Sequence, residues 1–180
     1  EAFVLSNNSS CLTLDGVALT ITGVKNGEGE TDKYDGTAFN MNPGSELKVT
    51  NGAVLTINNL NRGIVVDGGA APIDADITVT GEGSKLTASN FDGNFSQGGQ
   101  YVFSDGARVE ISNCVNHGLS ANTIEVDNAY VNVHDTGFCG IITSDDNAKL
   151  ELKEGAEVTV ENCATGNDSQ GRPAVQMAGS

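Results

Sequence analysis

Six eight-residue segments of the chain align without gaps: VALTITGV from Val17, AVLTINNL from Ala53, SKLTASNF from Ser84, ARVEISNC from Ala107, AYVNVHDT from Ala129 and AEVTVENC from Ala156. Their starts lie between 22 residues (Ala107 to Ala129) and 36 residues (Val17 to Ala53) apart, so the spacing varies while the pattern holds. The third column is always Leu or Val and the fifth is Ile, Val or Ala, with Thr, Glu, Lys, Arg, Asn or His among the intervening residues. Alternation with a period of two belongs to a strand with one buried and one wet face. A helix would need its apolar positions three and four apart.

The seventh column reads Gly23, Asn59, Asn90, Asn113, Asp135 and Asn162, and the eighth reads Val24, Leu60, Phe91, Cys114, Thr136 and Cys163. Strict alternation would turn the eighth residue outward. A bend at the seventh returns it to the interior, because Asn and Asp tolerate left-handed backbone and hydrogen-bond locally. Val24 is therefore expected inside with the others. Repeats stacked about 4.8 Å apart would let Asn59, Asn90, Asn113, Asp135 and Asn162 form a structural ladder of side chains.

Each aligned segment follows another alternating stretch, such as ELKVTNG from Glu46 or QYVFSDG from Gln100. The residue just before the aligned start is Gly16, Gly52, Gly83, Gly106, Asn128 or Gly155. All are types that accept positive φ, as a tight turn between two strands demands. After the Asn column and a variable loop comes a shorter third strand, in which Phe39, Ile64, Phe95, Leu119, Ile141 and Val175 are expected to point inward. Three strands per repeat, with a return to the starting position, is the layout of a parallel β-solenoid.

On these features the chain resembles the right-handed parallel β-helix superfamily, the pectate-lyase-like fold found in microbial secreted and surface proteins, over essentially its whole length. The expected fold is all-β: about six coils of three short strands with an Asn ladder at one bend. Residues 1–180 are expected to form a single domain, a fragment of a longer extracellular protein. A β-sandwich would also suit short alternating strands, but it has no reason to repeat Asn-then-apolar at one offset.

Charge narrows the partners. Nine basic residues face 24 acidic ones, a net of −15. A polyanion repels phosphate backbones and anionic headgroups, so neither nucleic acid nor membrane insertion is expected; no run of 18 apolar residues is present either. An extracellular or cell-surface location is expected. Cys11, Cys114, Cys139 and Cys163 lack C-x-x-C spacing, which argues against zinc. Cys114 and Cys163 share a column two repeats apart, about 9–10 Å and beyond disulfide reach. Free core thiols are expected, with a Cys139–Cys114 bridge left open.

The resemblance also says where chemistry would sit: on the outer face of one sheet, with clustered carboxylates and a basic residue, and with calcium in the lyases. The outward residues expected on the third strand are Asn40, Val65, Ser96, Ser120, Ile142 and Gln176, followed by a row with Asp67 as its one carboxylate. That row has no paired acids of the kind glycosidases use. The NHGLS segment at His117 only partly matches the G-H-G signature of polygalacturonases, and the acids that should precede it are absent. His134 is expected to decorate a strand face without an acid partner. Acidic loop residues do not form a compact calcium loop, so no cofactor is expected, calcium being the one considered.

The expected function is therefore non-catalytic: adhesion or ligand binding through loops, or a rigid stalk. The alternative is a polysaccharide lyase or glycoside hydrolase of the same fold. Candidate ligand-binding residues in the loops are Glu28, Asp32, Asp35, Asp67, Asp145 and Asp146. The expected partner is an extracellular glycan or host protein, and open strand edges at both ends raise end-to-end self-association.

Overall fold

The computed structural model describes residues 2–6, 9–26, 33–66, 76–144, 148–164 and 173–178. Among them the chain forms strands and no helix. The first sheet holds Cys11–Asp15, Glu46–Thr50, Asp76–Thr80, Gln100–Ser104, Thr123–Asp127 and Lys149–Leu152. The second holds Ala18–Thr22, Val54–Leu60, Lys85–Phe91, Arg108–Cys114, Tyr130–Thr136 and Glu157–Cys163. In both, strands from successive repeats are hydrogen-bonded neighbours and run parallel. The third set is split into two sheets. One comprises Phe3–Leu5, Thr37–Met41, Arg62–Val66 and Ser96–Gln97, and the other Leu119–Ala121, Ile141–Ser144 and Val175–Ala178. The chain visits first, second and third sets in turn and begins again, an all-β stack of parallel strands compatible with a parallel β-helix.

Pairing in the second sheet follows the six-segment alignment residue for residue. Ala18 sits opposite Val54, Val54 opposite Lys85, Lys85 opposite Arg108, Arg108 opposite Tyr130 and Tyr130 opposite Glu157. Turns between first and second sheets use left-handed backbone at the expected column: Gly16, Gly52, Gly83, Gly106, Asn128 and Gly155 have φ of 63°, 77°, 80°, 83°, 47° and 75°. The small residue that follows closes the turn. Ala53, Ala107 and Ala156 donate their N–H to the carbonyls of Thr50, Ser104 and Lys153.

Inward positions from all three sets form one core. Leu47, Ile77, Tyr101 and Ile124 stack in one column of the first sheet, and Leu55, Leu86, Val109 and Val131 in one column of the second; all are buried. In such columns each side chain is covered by its neighbours above and below, so truncating an interior Leu to Ala costs about 2–5 kcal/mol. In the last repeat Val158 and Val160 are half-buried and Leu152 is exposed.

Val175, expected inward, is 40% exposed, and two further features depart from the sequence pattern. Val24 is 76% exposed, whereas Leu60, Phe91, Cys114 and Thr136 in the same column are buried. The cause is Gly23. Asn59, Asn90, Asn113, Asp135 and Asn162 all bend the chain at positive φ, but Gly23 does not. Its N–H bonds the Asn58 carbonyl at 3.0 Å, and a Cβ there would lie 2.0 Å from the Asn59 carbonyl oxygen. Without the bend, the chain runs outward into a short antiparallel pair, Lys25–Asn26 with Lys33–Tyr34. That excursion is tied to the third repeat by the Tyr34 N–H, which donates to the Asp92 carboxylate.

The second departure is at Phe95. Ser96, not Phe95, stands opposite Ile64. The N–H groups of both Gly63 and Ile64 donate to the Phe95 carbonyl at 2.9 Å, a shared acceptor that shifts the register by one residue. Phe95 and Ser96 are consequently both buried, at 0% and 1% exposure. Ser96 Oγ then takes the place of the ladder: it accepts from the Ser120 N–H at 2.8 Å and donates to the Ser120 carbonyl at 3.0 Å. This substitution is where the third set splits in two. Val65, expected outward, is also buried.

Candidate functional site

Of the candidate loop residues, Glu28, Asp32, Asp67, Asp145 and Asp146 lie outside the described residues. Asp35 is exposed and lines a cleft of about 590 Å³ beside Gly23, Val24, Ile21 and Leu60, where the displaced Val24 leaves the first corner unfilled. Among the described residues, no group of three or more His, Cys, Asp and Glu side chains is arranged to hold a metal ion. None of the four cysteines is joined in a disulfide; Cys114 and Cys139 are buried as expected, whereas Cys163 is half-buried and Cys11 exposed. Cys114 and Cys163 stand on either side of Thr136 in one column, and burial pushes the Cys114 thiol up to about 12.

Functional groups gather instead on the outer face of the second sheet. Because its strands pair in register, outward residues form straight rows whose successive members are about 4.8 Å apart. One row runs Lys85, Arg108, Tyr130, Glu157; the next runs Thr87, Glu110, Asn132, Thr159; the third runs Ser89, Ser112, His134, Glu161. Beside them lies the bend column. Asn90 Nδ2 donates to Asn59 Oδ1 at 3.0 Å, and Asn113 Nδ2 donates to Asn90 Oδ1 at 3.3 Å.

His134 has two acid partners. Its Nδ1 lies 2.6 Å from Asp135 Oδ2 and its Nε2 lies 3.2 Å from Glu110 Oε1, and Asn132 Nδ2 donates to the same Glu110 oxygen at 2.9 Å. The expectation of a histidine without an acid partner is corrected here. A search along columns misses the contact, because Glu110 and His134 are diagonal neighbours, two residues out of register on adjacent strands; long side chains bridge that separation. Partial burial by itself disfavours the imidazolium, but hydrogen bonds and charge from Asp135 and then Glu110 outweigh it and raise the His134 pKa. The same contact with His134 lowers that of Asp135. Both ring nitrogens face carboxylates, so neither is placed to take a proton from a nucleophile.

In the first row the Arg108 guanidinium lies over the Tyr130 ring, 4.9 Å from its centroid. The basic residues of the first sheet are paired differently: Lys48 with Glu46 at 2.8 Å, Lys149 with Glu151 at 2.5 Å and Lys153 with Glu125 at 2.6 Å. Hydrogen bonding to its partner lowers the pKa of Glu46 and raises those of Lys48 and Lys153. Among the described residues, Lys85 and Arg108 have no such carboxylate partner.

The fold and this face define an all-β protein of stacked parallel strands with a polar, aromatic-bearing outer sheet. Compared with protein-family models, curated proteins and solved structures, the chain matches none.

Proposed function

We propose that this chain is a right-handed parallel β-helix of about six coils, pectate-lyase-like in kind, which serves as a non-catalytic binding domain of a secreted or cell-surface microbial protein. Its ligand is an extracellular glycan or a host protein. The observation that carries the reading is the outer face of the second sheet, where Lys85, Arg108, Tyr130, Asn132 and Glu110 stand in register on neighbouring strands. Polar groups fixed on a stacked sheet lose little freedom on binding, which favours recognition. The engagement of both His134 nitrogens by carboxylates speaks for binding rather than general-base chemistry.

The test is a screen of the chain against arrayed glycans and extracellular host proteins, repeated with Tyr130→Ala and with alanine across Glu28 to Asp35. A saturable hit weakened by Tyr130→Ala places the ligand on the sheet face. A hit weakened only by the loop variant moves it to the first loop. Silence across the panel, alongside turnover of an acidic polysaccharide, would replace the reading with an enzyme.

A further inference from the structure

We infer that the row Lys85–Arg108–Tyr130–Glu157 is a subsite for a sugar residue carrying a single carboxylate, at the end of a glycan chain; this rests on the glycan-binding reading above. The first observation is electrostatic. Among the described residues four cations hold no carboxylate, Lys33, Arg62, Lys85 and Arg108, and of these only Lys85 and Arg108 are register partners. Lys48, Lys149 and Lys153 each hold a carboxylate, yet Lys85 and Arg108 stand directly opposite one another on adjacent strands and, among the described residues, hold none. Like charges opposite each other on one sheet face are unfavourable in the free protein, and a bound anion removes that cost.

The second observation is geometric. The Arg108 guanidinium lies over the Tyr130 ring and, among the described residues, spends no N–H on a carboxylate, so its fork is open to grip one with two parallel hydrogen bonds. Tyr130 is half-buried and Arg108 exposed, so the pair is anchored below and open above. On the far side of Tyr130 the row ends in Glu157, and beside it Asn132 and Glu110 are already bonded to each other. The Glu157 and Glu110 carboxylates are acceptors for hydroxyl and amide N–H groups and they repel a second negative charge.

The row thus reads cation, cation, ring, carboxylate over three strand separations, about 14 Å. A ligand that fits has one carboxylate at one end and a hydroxyl-rich body at the other. A terminal sialic acid and a terminal uronic acid share that chemistry. A polyanionic chain does not fit, since Glu157, Glu110 and the net charge of −15 oppose it.

Binding is measured by calorimetry and saturation-transfer NMR on the whole chain with sialyllactose, a glucuronate-terminated disaccharide, neutral lactose and a heparin oligosaccharide. At least one of the two monocarboxylate sugars is expected to bind, with lactose and heparin weaker by about tenfold or more, the value of one charge-assisted hydrogen bond. Arg108→Gln and Lys85→Gln are each expected to weaken the preferred sugar about tenfold, and raised salt to weaken it in the native chain. Both residues are exposed, and unchanged melting of the variants checks that they fold. Lactose binding as well as the acids, or acid binding untouched by both variants, would overturn this subsite while leaving glycan binding in place. If none of these sugars and no arrayed glycan binds, the subsite and the reading beneath it both fall.

Discussion

Asn90 offers a way to separate what the bend column does for the backbone from what it does between repeats. Its φ is +62°, its side chain donates to Asn59 and accepts from Asn113, and it is exposed. Exposed hydrogen bonds sit at the low end of the usual range, roughly 0.5 kcal/mol each, so losing both costs about 1 kcal/mol. A left-handed residue with a Cβ and no local hydrogen bond adds about 1–2 kcal/mol. Asn90→Ala therefore loses about 2–3 kcal/mol in all. Asn90→Gly loses the same two bonds but not the backbone term, because its own greater freedom when unfolded roughly offsets the strain it relieves. The two variants should differ by about 1–2 kcal/mol, or about 2–8 °C in melting temperature for a chain of this size. Urea and thermal midpoints of the three proteins, measured in one buffer, read this directly. Equal destabilisation by Ala and Gly would refute the backbone half of the reasoning. A glycine variant as stable as the native chain would refute the side-chain half.

His134→Gln should remove a pH-dependent contribution. The raised pKa of His134 stabilises the fold fully below the unfolded histidine value of about 6.5 and ceases to as pH rises through the folded value. The lowered Asp135 works in the opposite sense, contributing above its unfolded value and losing that as pH falls through its folded one. Native and His134→Gln melting temperatures should therefore converge in mild alkali, and the imidazole NMR titration should have its midpoint above that of an unstructured histidine; a midpoint at or below it would contradict the Asp135 and Glu110 contacts. Ser96→Ala should cost about 1–3 kcal/mol, since it strips the Ser120 N–H of its acceptor. Faster hydrogen exchange at Ser120 would accompany it, and unchanged exchange would mean the serine does not close the ladder. Thiol labelling of the native chain should modify exposed Cys11 first and reach buried Cys114 and Cys139 only on unfolding; equal rates at all sites would contradict the packed corners.

What the amino-acid sequence determined by itself was local and periodic. Alternating Leu, Val and Ile set which face of each strand is buried. The aligned columns set the register of the second sheet, because slipping by one residue would turn every apolar side chain outward. Gly16, Gly52, Gly83, Gly106, Asn128 and Gly155 mark their turns because left-handed backbone excludes most other residues. Tertiary structure decided whatever depends on which neighbour wins a shared partner. Val24 shares its column with Leu60 and Phe91, yet only the approach of Gly23 to the Asn59 carbonyl turns it outward. Phe95 alternates as an inward residue should, but the competition of Gly63 and Ile64 for its carbonyl makes Ser96 the register mate of Ile64. On the candidate face, the row of Lys85, Arg108 and Tyr130 was legible as a column of letters. The reach of Glu110 to His134 and the placement of Arg108 over the Tyr130 ring were not, because the length and direction of a side chain set diagonal and cation–ring contacts, and periodicity carries neither.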